Sequence, residues 1–399
     1  MSAPESSRAP RLTAVMREGE RVTSLELFFD LVFVLALTQC TALMAGTPTW
    51  EEMLKGLLLL GVLWWSWVGY AWLTSVVDPE EGSVRLVMFA AMAAFLVAGL
   101  CVPRTFGEDA LLFALAYGVV RAAHIALFML ASREDVELRR SVLGLAASTA
   151  LGAGLIVVAA FLDGSVRLGV WGLALVFDTG GPFLFGADGW KLVPSHFAER
   201  HGAIIIIALG ESIVAIGAGA EAGVDAGVIA AAVLGIAVAG ALWWLYFDVV
   251  AIVAERRLLK AREGRERNEI ARDSYSYLHL PMVAGIALVA VGMRRTLADV
   301  GQPLGLVPAT AMLGGAAMYL LAHVAFRWRN VRTLNRHRSL CAAALAALLL
   351  VEVELKPASL VTLGVLAAVL CLLILYETQR FAEPRDRVRH QLARESVPD

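Results

Sequence analysis

Long apolar runs, separated by short polar or charged segments, fill almost the whole chain. Runs of about 20 residues have the length that an α-helix needs to cross the hydrocarbon core of a bilayer. We therefore predict an all-α polytopic membrane protein with about twelve transmembrane helices. The predicted spans are approximately 24–45, 52–75, 84–102, 109–131, 141–162, 166–185, 201–220, 226–254, 275–297, 305–326, 339–355 and 358–381.

The first apolar run carries two acidic residues, Glu26 and Asp30. Thr23 and Glu26 match the Thr-x-x-Glu capping box, which predicts a helix start near residue 24. A spacing of four residues places both carboxylates on one helix face, one turn apart. Because a carboxylate inside a membrane is costly, we expect this face to contact protein or water rather than lipid.

The composition agrees with a protein whose main partner is the lipid bilayer. Of the 399 residues, 59% are hydrophobic and 18% are charged, with a mean hydropathy of +0.70. Soluble domains are nearer 45–50% apolar and about 25% charged. The four cysteines lack metal or disulfide spacing, and no phosphate loop, dinucleotide fingerprint or nucleophile motif is present. We expect no enzyme activity, no cofactor, no metal and no nucleic-acid partner.

Lysine and arginine are distributed unequally between the two sides of the predicted spans. With the N-terminus inside, 27 of the 34 basic residues fall on the inner side and 6 on the outer side. Cytoplasmic loops of membrane proteins are enriched in these residues. We therefore expect both termini in the cytoplasm and an even number of spans.

The two halves of the chain share a series of features in the same order. The matches are Asp30 with Glu211, Leu63-Trp64-Trp65 with Leu242-Trp243-Trp244, His124 with His323, Arg140-Ser141 with Arg338-Ser339, and Phe177-Asp178 with Tyr376-Glu377. This order predicts two parallel six-helix repeats related by an axis along the membrane normal. The predicted division is a tail at 1–23, a first repeat at 24–185, a linker at 186–200, a second repeat at 201–382 and a tail at 383–399.

Polar residues within the apolar runs are the candidates for an ion or substrate path. The main candidates are Asp30, Glu211, Glu26, Glu199, Arg200 and Ser212; the secondary candidates are His124, His323, Arg121, Asp178 and Glu377. A structural interpretation stays open for each group. Glu26 can act as a helix cap, the other acids can pair with arginine to fix helix packing, and the histidines can be hydrogen-bonded core residues rather than proton relays.

Three motifs carry a resemblance to a known family. They are Leu25-Glu-Leu-Phe-Phe-Asp30-Leu-Val-Phe-Val34, His196-Phe-Ala-Glu199-Arg200-x-Gly202 and Ile207-Ala-Leu-Gly210-Glu211-Ser212. Together they resemble the bacterial low temperature requirement protein A family over nearly the whole chain. The resemblance implies a multi-pass protein of the bacterial inner membrane that is linked by name to growth in the cold. His201 stands where the family pattern is usually aromatic.

Three functions are compatible with these features. The leading hypothesis is a transporter or permease of a small ion or solute, with proton coupling as one form of it. A second is a dimeric cation channel lined by spans one and seven, because Arg21…Phe-Phe-Asp30 is similar to the Arg-x-x-x-Phe-Ser-Asp first-helix motif of lysosomal-type potassium channels, although Phe29 replaces the serine. The third is a non-transporting membrane scaffold or sensor linked to cold growth.

Overall fold

The computed structural model describes residues 21–80, 82–186, 188–220 and 223–380. In these ranges the chain consists of helices and loops without a β-strand, and one isolated bridge joins Pro303 and Ala358. Apart from residues 21–23, the two predicted tails lie outside the described residues.

The first half of the described chain forms six long helices. They are α1 (Ser24–Gly46), α2 (Trp50–Thr74), α3 (Gly82–Cys101), α4 (Ala110–Ala131), α5 (Val136–Ala159) and α6 (Gly164–Leu184). The predicted capping box is confirmed, since the Thr23 and Glu26 side chains each bind the other residue's backbone N–H. Helix α5 begins before the predicted residue 141, because Asp135 caps it by accepting a hydrogen bond from the N–H of Leu138 at 3.0 Å.

The second half has more, and shorter, helical segments. They are α7 (Pro194–Gly219), α8 (Ala226–Phe247), α9 (Val250–Leu259), α10 (Arg265–Ile270), α11 (His279–Ala298), α12 (Leu306–Ala309), α13 (Gly315–Val331), α14 (Arg336–Leu355) and α15 (Ser359–Arg380). Two π-helical turns, Ala271–Tyr277 and Thr310–Gly314, connect α10 to α11 and α12 to α13. Helix α7 begins at Pro194, a residue favoured in the first helical turn, so residues 194–200 of the predicted linker are helical.

Ten helical stretches of the described chain are long and apolar enough to cross a membrane. They include α9 joined to α8, α10 to α11, and α12 to α13, whereas α6 and α14 do not belong to this set. The predicted count of twelve is therefore not confirmed. The reason is polarity, since α6 contains Arg167 and Asp178, and α14 contains Arg338 and Glu352.

The same helix pairs pack against each other in the two halves. In the first half, α1 contacts α2 and α3, α4 contacts α3 and α5, and α6 contacts α5 and α2. In the second half, α7 contacts α8 and α11, α13 contacts α11 and α14, and α15 contacts α14 and α8. Contacts of α1 with α7 and α11 join the halves. The polar face of α1 is thereby placed against the second half of the chain.

Candidate functional site

A buried network of charged side chains lies where α1, α2 and α7 meet. Arg200 of α7 binds Asp30 Oδ1 through Nη2 at 2.9 Å and Glu26 Oε1 through Nη1 at 3.0 Å. All three side chains are completely buried. Since Glu26 and Asp30 are one turn apart on α1, a single guanidinium group reaches both carboxylates.

Helix α2 supplies two further contacts to this network. The indole N–H of Trp67 donates to Asp30 Oδ1 at 2.7 Å, and Arg200 Nη1 donates to Thr74 Oγ1 at 2.6 Å. The guanidinium carbon of Arg200 also lies 5.7 Å from the centroid of the Trp67 ring. Three helices are thus connected through one arginine, in surroundings where water cannot screen its charge.

Glu26 has the capping role and a second role at the same time. Its Oε2 accepts a hydrogen bond from the N–H of Thr23 at 2.8 Å, and its Oε1 lies 2.8 Å from His196 Nε2. The other ring nitrogen of His196 lies 3.0 Å from Ser75 Oγ. Glu199 is outside the buried network, where it accepts a hydrogen bond from the N–H of Val22 at 3.2 Å.

One oxygen of Asp30 differs from every other acceptor in this network. Asp30 Oδ2 is buried and accepts no hydrogen bond from any residue that the structure describes. Within the same described ranges, the Nε–H of Arg200 also lacks an acceptor. Nearly all buried polar groups in proteins are hydrogen-bonded, so an exception calls for a physical reason such as a proton, water or ion. Asp30 can therefore change its protonation or its ligand without the loss of an existing bond at Oδ2.

Glu211 forms a separate polar contact further along the interface between α1 and α7. It is buried, and the hydroxyl group of Thr38 on α1 donates to its Oε2. Thr38 is eight residues beyond Asp30, which corresponds to about 12 Å along the helix. The two acids that the sequence overlay matches therefore do not form a direct pair. The neighbouring Ser212 Oγ is also buried and binds no polar atom of the described residues.

Arg121 and Asp178, two secondary candidates, form a buried ion pair. Arg121 Nη2 lies 2.8 Å from Asp178 Oδ1, which also accepts a hydrogen bond from Thr149 Oγ1 at 3.1 Å. The hydroxyl group of Tyr117 donates to Asp178 Oδ2 at 2.5 Å. Asp178 is thus the acid that Arg121 neutralises, a partner that the sequence did not identify. His124 packs nearby, with its ring centroid 5.5 Å from that of Tyr70.

Glu377, the counterpart of Asp178, is also paired with an arginine. Arg338 forms a bidentate pair with it, at 3.0 Å from Nε to Oε1 and 2.8 Å from Nη2 to Oε2. This arginine is on α14, whereas Arg121 is on α4, so the two halves neutralise matching acids from different helices. His323 donates from Nδ1 to the carbonyl of Tyr319 at 2.9 Å.

Several side chains that complete these networks were not among the sequence-predicted candidates. They are Thr38, Trp67, Thr74, Tyr117 and Thr149. Trp67 and Thr74 are seven residues apart, so a search for polar groups on one face of α2 would have linked them. Trp64 and Trp67 of the α2 tryptophan run are completely buried, so these side chains pack between helices.

Comparisons with known proteins identify the family of this chain. A profile described as bacterial low temperature requirement A protein (LtrA) matches residues 21–375. A protein of Rhizobium meliloti, described as uncharacterized, is 29% identical over 306 residues, which is 74% of this chain and 74% of the relative. No solved structure matches the chain at a significant level. The profile match covers more than half of the chain, so the chain belongs to the bacterial low temperature requirement A protein family.

Proposed function

We propose that this LtrA-family protein transports a small ion or solute across the bacterial cytoplasmic membrane and couples that movement to protons. The observation that carries the proposal is Asp30, whose buried Oδ2 accepts no hydrogen bond from the described residues. Acidic residues within membrane segments are rare because of their cost, and they often belong to ion paths or proton relays.

Arg200 gives Asp30 a way to change the contact between two helices. When Asp30 takes up a proton, its attraction for Arg200 weakens, while the carboxylate of Glu26 remains at 3.0 Å. Glu26 is one turn away on the same helix, so the guanidinium group would shift towards it along α1. A displacement of one turn between packed helices, about 5 Å, is a known form of switching. Since α1 and α7 join the two halves of the chain, this shift would move one half against the other.

Glu211 and Ser212 mark a second polar position on the same interface. Glu211 is bound by Thr38 of α1, and the Ser212 hydroxyl group has no hydrogen bond within the described part of the chain. Asp30 and Glu211 thus place acids at two depths along the contact between α1 and α7. Two acids at different depths suit the stepwise passage of a proton or a cation.

The arrangement that fits this function is a twelve-span protein made of two parallel six-helix units with both termini in the cytoplasm. The recurrence of the same helix pairs in both halves supports it. In this arrangement α6 and α14 are the two further spans that bring the ten candidate spans to twelve. Their charged residues Asp178 and Arg338 are held in ion pairs within the protein, which lowers the cost of placing them in a membrane.

One other function is favoured by a specific observation. Glu26, Asp30 and Arg200 are completely buried and closely paired, as expected if the network only fixes the packing of α1, α2 and α7. In that case the protein would be a non-transporting scaffold or sensor. The two functions differ in whether the substitution of Asp30 changes flux.

Flux measurements in proteoliposomes test the proposal. The purified protein is assayed with a panel of ions and small solutes, with and without an imposed pH gradient. We expect uptake of at least one solute that depends on the gradient, and a loss of about tenfold or more in Asp30→Asn, which corresponds to about 1.4 kcal/mol in the barrier to transport. Asp163→Asn is the matched control, since Asp163 has a side chain that is 97% exposed at the start of α6.

Two results would contradict the proposal. If the wild-type protein transports nothing in the panel at any pH gradient, the scaffold or sensor is the better interpretation. If a solute is transported and Asp30→Asn behaves like Asp163→Asn, transport does not depend on a proton at Asp30.

A further inference from the structure

A cavity of about 290 Å³ lies between α8, α9, α13, α14 and α15, away from the Asp30 network. Its wall combines polar and apolar side chains. The polar residues that matter for its chemistry are His323, Arg327, Arg338 and Glu377. Arg338 and Glu377 neutralise each other through their bidentate pair, so His323 and Arg327 are the groups available to a ligand.

His323 supplies an acceptor at the inner part of the cavity. The side chain is 1% exposed, and its Nδ1–H donates to the carbonyl of Tyr319 at 2.9 Å. The neutral ring then has a lone pair on Nε2, which receives no hydrogen bond from the described residues. A ligand with a hydroxyl group can satisfy this nitrogen.

Arg327 supplies positive charge one helical turn away. It follows His323 by four residues, so both side chains are on one face of α13. Arg327 is exposed, and its Nε donates to Thr333 Oγ1 at 3.0 Å. Its terminal N–H groups have no hydrogen bond to a described residue, and they form the planar fork that binds phosphate or carboxylate. Asp248, also on the wall, already takes part in another interaction.

The remaining wall contains the hydrogen-bonded amides of Asn330 and Asn335 together with apolar side chains that reach the outer surface of the helices. Val250 and Val253 of α9 face the cavity together with Ile374 of α15. Trp244 and Val331, at its margin, are 38% and 44% exposed. An aliphatic group of a ligand can therefore lie between α9 and α15 and continue along the apolar exterior of the bundle.

The corresponding place in the first half differs from this cavity. A space there is lined by Arg121 and His124, the latter being the counterpart of His323, but its volume is only about 50 Å³. Trp190 and Arg272 from later parts of the chain also line it, and the guanidinium carbon of Arg272 lies 4.3 Å from the Phe183 ring centroid. The protein's own side chains fill this space, whereas the second half keeps a cavity of ligand size.

We propose that the cavity in the second half binds an amphiphilic anion that carries a hydroxyl group. The anionic oxygens bind Arg327, the hydroxyl group donates to His323 Nε2, and the apolar part lies against α9 and α15. Glycerol phosphate attached to a lipid tail has this chemistry, and so does a soluble hydroxyl-bearing phosphate. The site is independent of the proposed transport function.

Binding experiments with defined probes test the proposal. Isothermal titration calorimetry of the purified protein in a non-ionic detergent compares lauroyl lysophosphatidylglycerol with lauroyl lysophosphatidylcholine, which has no net negative charge. We expect the former to bind about tenfold more tightly, as one charge-assisted interaction provides. Arg327→Gln should remove this preference. Arg336→Gln, which removes an exposed charge at the start of α14 outside the cavity wall, should retain it.

Further variants separate the hydroxyl group from the charge. Dodecyl methyl phosphate carries one negative charge and no hydroxyl group, so the wild-type protein should bind it more weakly than lysophosphatidylglycerol, and His323→Phe should bind the two equally. Val253→Trp should fill the cavity and weaken both. Glycerol 3-phosphate shows whether the natural ligand is soluble or a lipid. Binding of this probe, which has no tail, indicates a soluble ligand, whereas binding only of probes with a tail indicates a lipid.

The proposal is overturned if lysophosphatidylcholine binds as tightly as lysophosphatidylglycerol. It is also overturned if Arg327→Gln and Arg336→Gln have the same effect. Arg327 is exposed, so its substitution is not expected to unfold the protein and the comparison stays interpretable.

Discussion

Two buried arginine–aspartate pairs are almost identical in length and differ in how completely the aspartate is bound. The distance is 2.8 Å between Arg121 and Asp178 and 2.9 Å between Arg200 and Asp30. Both oxygens of Asp178 accept hydrogen bonds, whereas Asp30 uses only Oδ1 among the described residues. Burial of an ion pair is therefore not enough to distinguish structure from function. The number of hydrogen bonds that each carboxylate can still accept distinguishes the two pairs better.

The difference also concerns the arginines. Arg121 binds one carboxylate, whereas Arg200 is shared between Glu26 and Asp30. Each arginine has a buried Nε–H without an acceptor among the described residues, so the pairs differ in their carboxylates. A pair that is saturated at both carboxylate oxygens has one favourable arrangement, and a change in it leaves a buried charge unpaired. A shared arginine has a second carboxylate within reach. We therefore interpret Arg121–Asp178 as a fixed structural element and Arg200–Asp30 as the pair that changes during function.

The largest expected effect is that of Asp178→Ala. It leaves Arg121 buried without its carboxylate, which typically costs about 3–5 kcal/mol in the free energy of unfolding. Thermal unfolding of the detergent-solubilised protein measures the change against Asp188→Ala, a substitution of an exposed aspartate. If both variants melt at the same temperature, the Arg121–Asp178 pair does not have the structural role assigned to it.

A smaller loss is expected when one donor to the saturated pair is removed. Thr149→Val leaves Asp178 Oδ1 without its second hydrogen bond, at a cost of about 1–3 kcal/mol for a buried charged group. Thr179→Val is the control, because the Thr179 hydroxyl group donates only to the Leu175 carbonyl of its own helix. Equal unfolding temperatures for the two variants would show that Thr149 adds nothing to the pair.

Asp30→Asn should have a smaller effect on stability than Asp178→Ala. The amide retains an oxygen at the position of Oδ1 and Glu26 still pairs with Arg200, so we expect a change of about 1–3 kcal/mol, the cost of an NH₂ group that is buried without an acceptor among the described residues. The comparison variant is Asp178→Asn. Both oxygens of Asp178 accept hydrogen bonds, so its NH₂ group necessarily replaces a bonded acceptor. A cost for Asp30→Asn as large as that for Asp178→Asn would remove the distinction between the pairs.

The partly exposed ion pair of Lys191 and Asp135 represents the weak end of this comparison. Lys191 Nζ lies 2.7 Å from Asp135 Oδ2, and this contact, with the hydrogen bond from the Leu138 N–H, lowers the pKa of Asp135. A carboxyl group whose pKa is lower in the folded than in the unfolded state stabilises the fold at pH values above its ordinary pKa of about 3.9. This contribution is lost as the pH falls through the folded-state pKa.

Asp135→Asn should therefore lower the unfolding temperature near neutral pH only slightly, by an equivalent of about 0.5 kcal/mol, since exposed pairs contribute little. The difference from wild type should shrink as the pH falls below about 4. A difference that grows on acidification would have the wrong sign for this account.

The parts of the structure that depend on local spacing could be predicted from the sequence. The capping box of Thr23 and Glu26 is confirmed, and the shared face of Glu26 and Asp30 follows from helical periodicity. The family was also recognised from short motifs. These features involve residues within one or two turns of each other, so no knowledge of tertiary packing is needed.

The partners of the buried charges could not be predicted in the same way. Arg121 and Asp178 are 57 residues apart, and Arg200 and Asp30 are 170 apart, so their pairing depends on which helices are neighbours. The sequence overlay matches Asp30 with Glu211 as equivalent positions and does not give their partners; Glu211 binds Thr38, because α1 presents polar residues to α7 at two separate heights. Hydropathy alone also could not decide whether α6 and α14 cross the membrane, because charged residues of both helices are paired with residues on other helices.

We infer that Asp30 exchanges a proton in the folded protein. Infrared difference spectroscopy of the reconstituted protein tests it directly, by following the C=O stretching band of protonated carboxyl groups during a pH change, without knowledge of the solute. We predict that one component of this band is lost in Asp30→Asn and retained in Asp163→Asn. A band that is the same in the wild type and in Asp30→Asn would contradict the account.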